Sequence, residues 1–154
     1  MARRVGKLVR IAVINGPNLN LLGFREPAIY GKTTLPEIES RLREVAKELD
    51  TAISFAQFNG EGDIIDAIHA LKGSADGALI NAGAYSHTSL AIHDALTSVQ
   101  IPFAEVHLSN IYAREPERRH SMLSDAAVAV IAGFGAMSYE LALRGLVAKL
   151  SSHD

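Results

Sequence analysis

The chain has 154 residues, 48% of them hydrophobic, a length that suits one domain with a full core and is too short for two ordinary domains. Its formal net charge of −2 gives no broad positive surface for nucleic acid or an anionic membrane. The absence of cysteine excludes disulfides, thiolate catalysis and cysteine-bound metal. Arg10 and Asn15 interrupt the first apolar run, so neither a signal peptide nor a membrane span is predicted. We therefore expect a cytoplasmic protein whose partner is a small molecule.

Short apolar runs alternate with stretches of helical spacing. The runs cover 11–14, 52–58, 77–80, 102–108 and 127–131, and the helical stretches follow Thr34 and cover 61–71, 87–99 and 136–150. Several runs are almost continuously apolar, which is typical of strands buried on both faces of a parallel sheet. The alternation predicts an α/β fold, a flavodoxin-like doubly wound five-stranded parallel sheet of order 2-1-3-4-5. We expect a single domain over 1–154, with flexible ends at 1–8 and 151–154.

A long loop, residues 15–31, follows the first apolar run and precedes a helix start at Thr34. Connections between strand and helix usually take about 2 to 6 residues, and longer ones tend to be lids or binding loops. The loop carries a cation, Arg25, and a titratable phenol, Tyr30. A neighbouring positive charge favours the ionised form of a phenol. The loop alone fits equally a lid with a tyrosinate base and an ordinary surface loop with a solvated arginine.

Polar side chains follow each of the first four apolar runs. They are Asn15 and Asn18 after the first run, Asn59 and Glu61 after the second, Asn81, Ser86 and His87 after the third, and His107, Ser109, Asn110, Arg114, Arg118, Arg119 and His120 after the fourth. Ligands of doubly wound sheets bind beyond the carboxyl ends of the strands. Asparagine is common in turns anyway, but turn preference does not explain clustered histidines and arginines. The set predicts a site for a small, oxygen-rich, anionic ligand.

Glu105 and His107 lie two apart in the fourth run, so they point to the same face of a strand. A carboxylate in an apolar strand requires a partner, and an imidazole held at one nitrogen can aim the other at a ligand. His107 then fits a general acid, because an imidazole titrates near working pH. The alternative is a buried pair that only stiffens the strand end. The position at the ligand-binding edge favours catalysis.

Motifs for other chemistries are absent. The chain has no zincin-like histidine spacing, no grouped carboxylates for a metal, no G-x-G-x-x-G, no Walker A motif and no G-x-S-x-G. We therefore predict no metal and no other cofactor. What remains is acid–base chemistry that removes a proton beside a carbonyl and expels a leaving group. Tyr30 is the base and His107 the acid, and Asn18 is the kind of donor that stabilises an enolate.

Several motifs resemble the type II 3-dehydroquinate dehydratase family. They are Ile14-Asn-Gly-Pro-Asn-Leu-Asn-Leu-Leu-Gly23, Arg25-Glu-Pro27, Tyr30-Gly31, Asn81-Ala-Gly-Ala-Tyr-Ser-His-Thr-Ser89, Glu105-Val-His-Leu-Ser-Asn110, Ala113-Arg-Glu115, Arg118-Arg-His-Ser121 and Gly133-Phe-Gly135. They occur in order over nearly the whole chain. The resemblance implies a lyase that converts 3-dehydroquinate to 3-dehydroshikimate by anti elimination through an enolate. In this role Tyr30 takes the α-proton with Arg25 and Arg119 favouring its ionised form, and His107, oriented by Glu105, protonates the departing hydroxyl.

The resemblance also implies binding residues and an assembly. Asn18 holds the water that stabilises the enolate, and the substrate contacts fall on Asn81, His87, Leu108, Ser109 and Arg118. Family members form dodecamers built from trimers, and Asp94 matches a residue that reaches a neighbouring subunit's site.

The sequence departs from the family pattern at a few positions, and it is also compatible with two other functions. Gly60 and Tyr112 each replace a histidine of the family, and residues 137–138 are Met-Ser instead of Gln-Gly. One alternative is a binding module for a polyhydroxylated carboxylate that performs no chemistry, and another is a flavin-binding flavodoxin relative. The reaction itself serves either aromatic biosynthesis or quinate breakdown.

Overall fold

A computed structural model describes residues 8–152, which form one five-stranded sheet with helices on both faces. The strands are β1 (Val9–Asn15), β2 (Thr51–Gln57), β3 (Gly77–Asn81), β4 (Phe103–His107) and β5 (Ala129–Ala132). The helices are α1 (Pro27–Tyr30), α2 (Leu35–Glu48), α3 (Glu61–His69), α4 (Leu90–Val99) and α5 (Met137–Ser151). All neighbouring strands pair in parallel, in the order β2-β1-β3-β4-β5. The predicted fold class and strand order are confirmed.

The sheet separates two hydrophobic clusters, as the continuous apolar runs predict. One cluster joins Val13 to Leu42 of α2 and Leu143 of α5. The other contains Ile64 of α3 and Ile92 of α4. Every residue of β3 and β4 is buried, because helices cover both faces of these central strands. Because β3 and β4 are buried along their whole length, the side chains at their ends, such as Asn81 and His107, are held in fixed directions.

The helix starts follow local capping. The Thr34 side chain accepts a hydrogen bond from the Glu37 backbone N–H at 3.3 Å, which confirms the predicted start of α2. The prediction that a helix begins at His87 is wrong, because α4 begins at Leu90. Ser89 caps α4 by accepting from the Ile92 N–H at 2.9 Å, while Gly83–His87 form a separate 3₁₀ turn.

The long loop 15–31 is partly ordered into local turns. It contains a 3₁₀ turn, Leu19–Leu21, and the single helical turn α1, whose residues are not buried. Of the two ends predicted to be flexible, residues 1–7 and 153–154 lie outside the described residues. Over the part of the chain that is described, no helix is both long enough and apolar enough to span a membrane.

The ends of β1 and β3 lie in register, with Asn15 opposite Asn81. The following loops approach so closely that a Cβ on Gly16 would lie 2.5 Å from the Ala82 carbonyl oxygen. Glycine at this position therefore allows the two loops to pack against each other. The ends of β3 and β4 are also adjacent, with Ile80 opposite Glu105. Three strands thus deliver their C-terminal residues to one short stretch of the sheet edge.

Candidate active site

An open cleft with about 520 Å³ of space lies beyond the carboxyl ends of β1, β3 and β4. The residues of the predicted site or polar set that line it are Asn18, Arg25, Tyr30, Asn81, His87, His107, Leu108, Ser109, Arg114 and Arg118. The remaining lining residues are Pro17, Leu19, Gly83, Ala84 and Ile111. Three arginines and two histidines face one cleft, so the cleft suits an anionic ligand rich in oxygen.

Glu105 and His107 form a buried pair at the end of β4. Glu105 is 0% exposed and His107 is 5% exposed, and the His107 Nε2–H donates to Glu105 Oε2. Burial by itself raises the pKa of Glu105, but hydrogen bonds from His107, Ser121 and Ser124 outweigh it, so the pKa lies below its ordinary value. The carboxylate is therefore ionised and orients the imidazole. The other ring nitrogen, Nδ1, is left for a ligand in the cleft.

His87 lies beside this pair. Its ring stacks on the His107 ring, with centroids 6.1 Å apart and planes 21° apart. Its Nδ1–H donates to the His120 carbonyl oxygen at 2.7 Å, which leaves Nε2 as an acceptor. Burial lowers the pKa of His87 more than the hydrogen bond to His120 raises it, and the charges of His107 and Arg118 lower it further. A neutral His87 suits hydrogen bonding to a ligand hydroxyl.

Tyr30, on the loop side of the cleft, has two guanidinium groups close to its ring. The guanidinium carbon of Arg25 is 4.9 Å from the centre of the Tyr30 ring, and that of Arg114 is 5.4 Å from it. The Arg114 Nη1 donates to the Tyr30 hydroxyl at 3.3 Å and to Ser109 Oγ at 3.2 Å. Burial lowers the pKa of Arg114, but the contacts with Tyr30 and nearby carboxylates raise it above its usual range. Arg114 stays cationic beside the phenol.

The structure places Arg114 against the Tyr30 hydroxyl, while the role that the resemblance implies for Arg119 stays a prediction. Arg119, predicted to lie with Arg25 at the phenol, does not line the cleft, and its Nε donates to the Arg114 carbonyl oxygen at 2.5 Å. The 3₁₀ turns at 111–113 and 116–118 change the chain direction around Arg114. Arg114 thus reaches Tyr30, and Arg119 folds back on the loop backbone. Arg114 was among the polar residues after β4, but spacing alone does not distinguish it from its neighbours.

Asn18 is held in place by Asn59, which the sequence identified only as a polar residue after the second apolar run. Asn18 has a left-handed backbone conformation, φ 69°, which asparagine tolerates better than most residues. Its N–H donates to Asn59 Oδ1 at 3.1 Å, and Gln57 Nε2 donates to the same oxygen at 3.1 Å. The Tyr85 hydroxyl donates to the Asn59 carbonyl at 2.9 Å. Asn59 thus fixes the Asn18 backbone at the edge of the cleft.

Asn81 is hydrogen-bonded to Tyr139, a buried residue that the sequence did not identify as part of the site. Its Nδ2 donates to the Tyr139 hydroxyl at 2.8 Å, and that hydroxyl donates to Asn15 Oδ1 at 2.6 Å. Tyr139 is 1% exposed, and burial raises its pKa, so it remains a neutral donor and acceptor. Asn81 Oδ1 accepts from the Gly83 N–H at 3.2 Å. One amide hydrogen of Asn81 is left to face a ligand. A tyrosine on a helix with apolar spacing gives no sequence signal for this role.

Asp94 and Glu105 are predicted site residues that do not line the cleft of their own chain. Glu105 lies behind His107, whereas the Asp94 side chain is 68% exposed on α4, with its Oδ1 3.3 Å from His93 Nδ1. Whether Asp94 reaches a neighbouring subunit stays a prediction. Within residues 8–152, no group of three or more His, Cys, Asp or Glu side chains could hold a metal ion.

The departures from the family pattern lie around the cleft and not in it. Gly60 is the N-cap residue of α3, and Tyr112 is 59% exposed. Ser138 is buried, and its hydroxyl accepts from the Phe134 N–H at 3.0 Å. None of these residues lines the cleft.

Comparison with known proteins identifies the family. A family model described as dehydroquinase class II matches residues 9–147. A 3-dehydroquinate dehydratase of Gemmatimonas aurantiaca is 59% identical over 91% of this chain and 92% of its own length. One of Synechococcus is 55% identical over 90% of this chain and 95% of its own length.

Solved structures agree with the sequence comparisons. The crystal structure of type II dehydroquinase from Butyrivibrio crossotus is similar with a TM-score of 0.89 and 41% identity, over 92% of this chain and 99% of that one. The enzyme from Propionibacterium acnes has a TM-score of 0.87 and 42% identity over the same shares. The chain therefore belongs to the class II dehydroquinase family and is, as its motifs predict, an enzyme of that family.

Proposed function

We propose that this chain dehydrates 3-dehydroquinate to 3-dehydroshikimate by anti elimination through an enolate, with a tyrosinate base and a histidine acid. One observation carries the proposal. A phenol with two guanidinium groups beside its ring lines the same cleft as an imidazole held by a buried carboxylate. A binding module that performs no chemistry has no need of both arrangements. The membership of the dehydroquinase family supports the substrate.

The first step is removal of the proton α to the substrate carbonyl by the Tyr30 oxygen. Two positive charges beside a phenol stabilise its anion more than its neutral form. Arg25 and Arg114 supply these charges, at 4.9 Å and 5.4 Å from the ring centre. The electron pair released forms an enolate, whose oxygen is stabilised by a water that Asn18 holds. Preorganised donors of this kind act where charge develops in the reaction.

The second step is loss of the β-hydroxyl. His107 donates a proton to the departing oxygen, the carbon–oxygen bond breaks, and the enolate electron pair forms the new carbon–carbon double bond. The products are the conjugated enone and one water, so atoms and charge balance. Glu105 accepts a hydrogen bond from the far side of the imidazole and stabilises its protonated form. No cofactor takes part in this scheme.

The remaining polar groups of the cleft bind the substrate. In this role Arg118 pairs with the substrate carboxylate, and the ring hydroxyls and the carboxylate contact Asn81, His87 and the amides of Leu108 and Ser109. The fixed positions of His87, through His120, and of Asn81, through Tyr139, support this role. Groups that are already held in place lose little entropy when the substrate binds.

A direct assay tests the proposal. The purified protein is mixed with 3-dehydroquinate, and the ultraviolet absorbance of the conjugated enone is followed. We expect turnover by the natural sequence, and its loss in Tyr30→Phe with little change in substrate affinity, measured by calorimetry. Binding of 3-dehydroquinate without any turnover would favour a binding module. A Tyr30→Phe variant with full activity would remove Tyr30 from the role of base.

We also propose that the whole chain is one catalytic domain that acts in the cytoplasm as a homododecamer built from trimers, serving aromatic biosynthesis or quinate breakdown. The exposed Asp94 side chain, outside its own cleft, supports a role at a neighbour's site. Light scattering after size-exclusion chromatography gives the mass of the assembly. Asp94→Ala is expected to lower turnover only if the subunits associate, and a fully active monomer would contradict the assembly.

A further inference from the structure

We propose that Ser121 and Ser124 are positioning residues that keep the shared proton of the Glu105–His107 pair on the imidazole. This inference rests on the proposed function, in which His107 is the acid. Both serines lie on the loop after β4, beyond the 3₁₀ turn that ends at Arg118. Neither serine lines the cleft, so neither touches a bound substrate directly. Their effect on the reaction passes through Glu105.

The two oxygens of Glu105 have separate partners. Oε2 accepts from the His107 imidazole, while Oε1 accepts from the Ser121 hydroxyl at 2.9 Å and from the Ser124 hydroxyl at 2.9 Å. Both serines are partly exposed, whereas the carboxylate is wholly buried. The two hydroxyls therefore replace the water that Oε1 would have at the protein surface.

The direction of the Ser121 hydroxyl is set by a second hydrogen bond. Its oxygen accepts from the Leu123 N–H at 3.0 Å, so the hydroxyl hydrogen is left to point at Glu105. The loop is held against the fold by the Met122 N–H, which donates to the Ser86 carbonyl at 2.7 Å. The hydroxyl donors are thus in place before any ligand binds.

The hydroxyls decide where the proton lies, because a buried carboxylate with a single partner is a strong proton acceptor. With both hydroxyls bound, the negative charge stays on Glu105 and the imidazole can carry the second proton that it must donate. Without them, the proton moves to Glu105, and the neutral imidazole that results is a much weaker acid. Two further groups that titrate or carry charge lie on the cleft side of the pair: the neutral His87, stacked on His107, and the cationic Arg118, which acts on His87.

The experiment compares Ser124→Ala, Ser121→Ala and the double variant with the matched Ser121→Thr/Ser124→Thr variant, which keeps both hydroxyls. Ser124→Ala is the mildest change, because the hydroxyl of Ser124 bonds Glu105, whereas that of Ser121 also caps the Leu123 N–H. We expect kcat to fall about tenfold for each hydroxyl removed and KM to change less than about twofold. The threonine variant is expected to keep the natural kcat.

The pH profile separates positioning from a merely structural loss. The deprotonated pair carries a net negative charge, which the hydroxyls stabilise. We therefore expect the alkaline limb of kcat to move to higher pH in the alanine variants and to stay in place in the threonine variant. An unchanged limb and an unchanged kcat in the double alanine variant would overturn the inference.

A readout that does not use activity separates this inference from the proposed function. Nitrogen-15 NMR of the His107 side chain in the folded protein reports which ring nitrogens carry a proton. In the double alanine variant, the Nε2 signal is expected to move towards that of an unprotonated nitrogen. If the Nε2 signal remains that of a protonated nitrogen, the inference is wrong, whether or not His107→Ala abolishes turnover. If His107→Ala keeps full turnover, the proposed acid is wrong, and the NMR signals still decide where the proton lies.

Discussion

The two sides of the cleft are built in opposite ways. On the strand side, Glu105 and His107 are 0% and 5% exposed at the end of a strand that is buried at every position. On the loop side, Tyr30 ends a single helical turn without buried residues, and nearby Phe24 is 82% exposed. The proposed acid is therefore part of the folded core, whereas the proposed base lies on a helical turn without buried residues, and Tyr30 packs against the edge of a hydrophobic cluster.

The difference follows from how each segment is stabilised. Moving the end of β4 would break the parallel ladder and expose core residues on both faces of the sheet. Moving the segment 23–31 would break local backbone bonds, the contacts of Tyr30 with the two arginines and the packing of the partly buried Tyr30 against the hydrophobic cluster. Segments of this kind open at low free energy. The proposed acid is therefore held by the sheet, whereas the proposed base is held by a short helical turn on the loop 15–31.

The largest expected effects come from removing the acid and the base themselves. His107→Ala and Tyr30→Phe are each expected to lower kcat by about 10² to 10⁴-fold. Their effects on stability differ. His107→Ala leaves the buried Glu105 carboxylate without its imidazole partner and is expected to lower the free energy of unfolding by about 3 kcal/mol. Tyr30→Phe is expected to change it by less than about 1 kcal/mol.

Urea unfolding of the two variants checks this contrast, with steady-state kinetics measured on the same preparations. Equal losses of stability would show that the loop side is packed as tightly as the strand side. That result would contradict the division between a core-built acid and a loop-carried base.

A smaller effect distinguishes the two neighbouring arginines on the loop side. Arg114→Ala removes a guanidinium that donates to the Tyr30 hydroxyl, and we expect kcat to fall about 10²-fold. Arg119→Ala is the matched control, because its Nε bonds the backbone of Arg114 instead of the phenol. We expect the control to change kcat less than about threefold. Similar losses for both variants would restore Arg119 to the role that the sequence predicted.

Lowering the pH tests the contribution of Glu105 to the stability of the strand side of the cleft. Its pKa is lowered in the folded protein from an ordinary value of about 4.5, because hydrogen bonds from His107 and the two serines outweigh burial. The stability that this carboxylate contributes is therefore complete above about pH 4.5 and is lost as the pH falls through the folded value. Urea unfolding from pH 7 downwards measures the loss. Glu105→Gln is expected to flatten the curve over that range, and an unchanged slope would contradict the assignment.

The smallest effect is expected at the exposed end of the loop. Phe24→Ser replaces a side chain that is 82% exposed, so the free energy of unfolding is expected to change by less than about 0.5 kcal/mol. Leu143→Ala, at 0% exposed in α5, is the control and is expected to lower it by about 2 to 5 kcal/mol. A large destabilisation by Phe24→Ser would mean that the loop is packed against something that a single chain does not contain.

Much of the site could be predicted because the information was local. Residues two apart on a strand share a face, so Glu105 and His107 could be paired from their spacing. Parallel strands bring their carboxyl ends to one edge, so the residues after each run could be grouped. The helix start at His87 could not be placed correctly, because Ser89 competes as a cap and captures the Ile92 N–H.

The alternation of strands and helices, the polar edge and the residue types of the site therefore follow from the sequence alone, since periodicity and strand direction are properties of the chain. The same alternation is compatible with more than one order of strands in a doubly wound sheet. Tertiary packing determines that Arg114 donates to the Tyr30 hydroxyl and that Ser121 and Ser124 donate to Glu105. Arg114, Ser121 and Ser124 lie on irregular turns after β4. In such turns the position of a residue in the sequence does not predict the direction of its side chain. Their placement depends on how the turns pack against the rest of the fold.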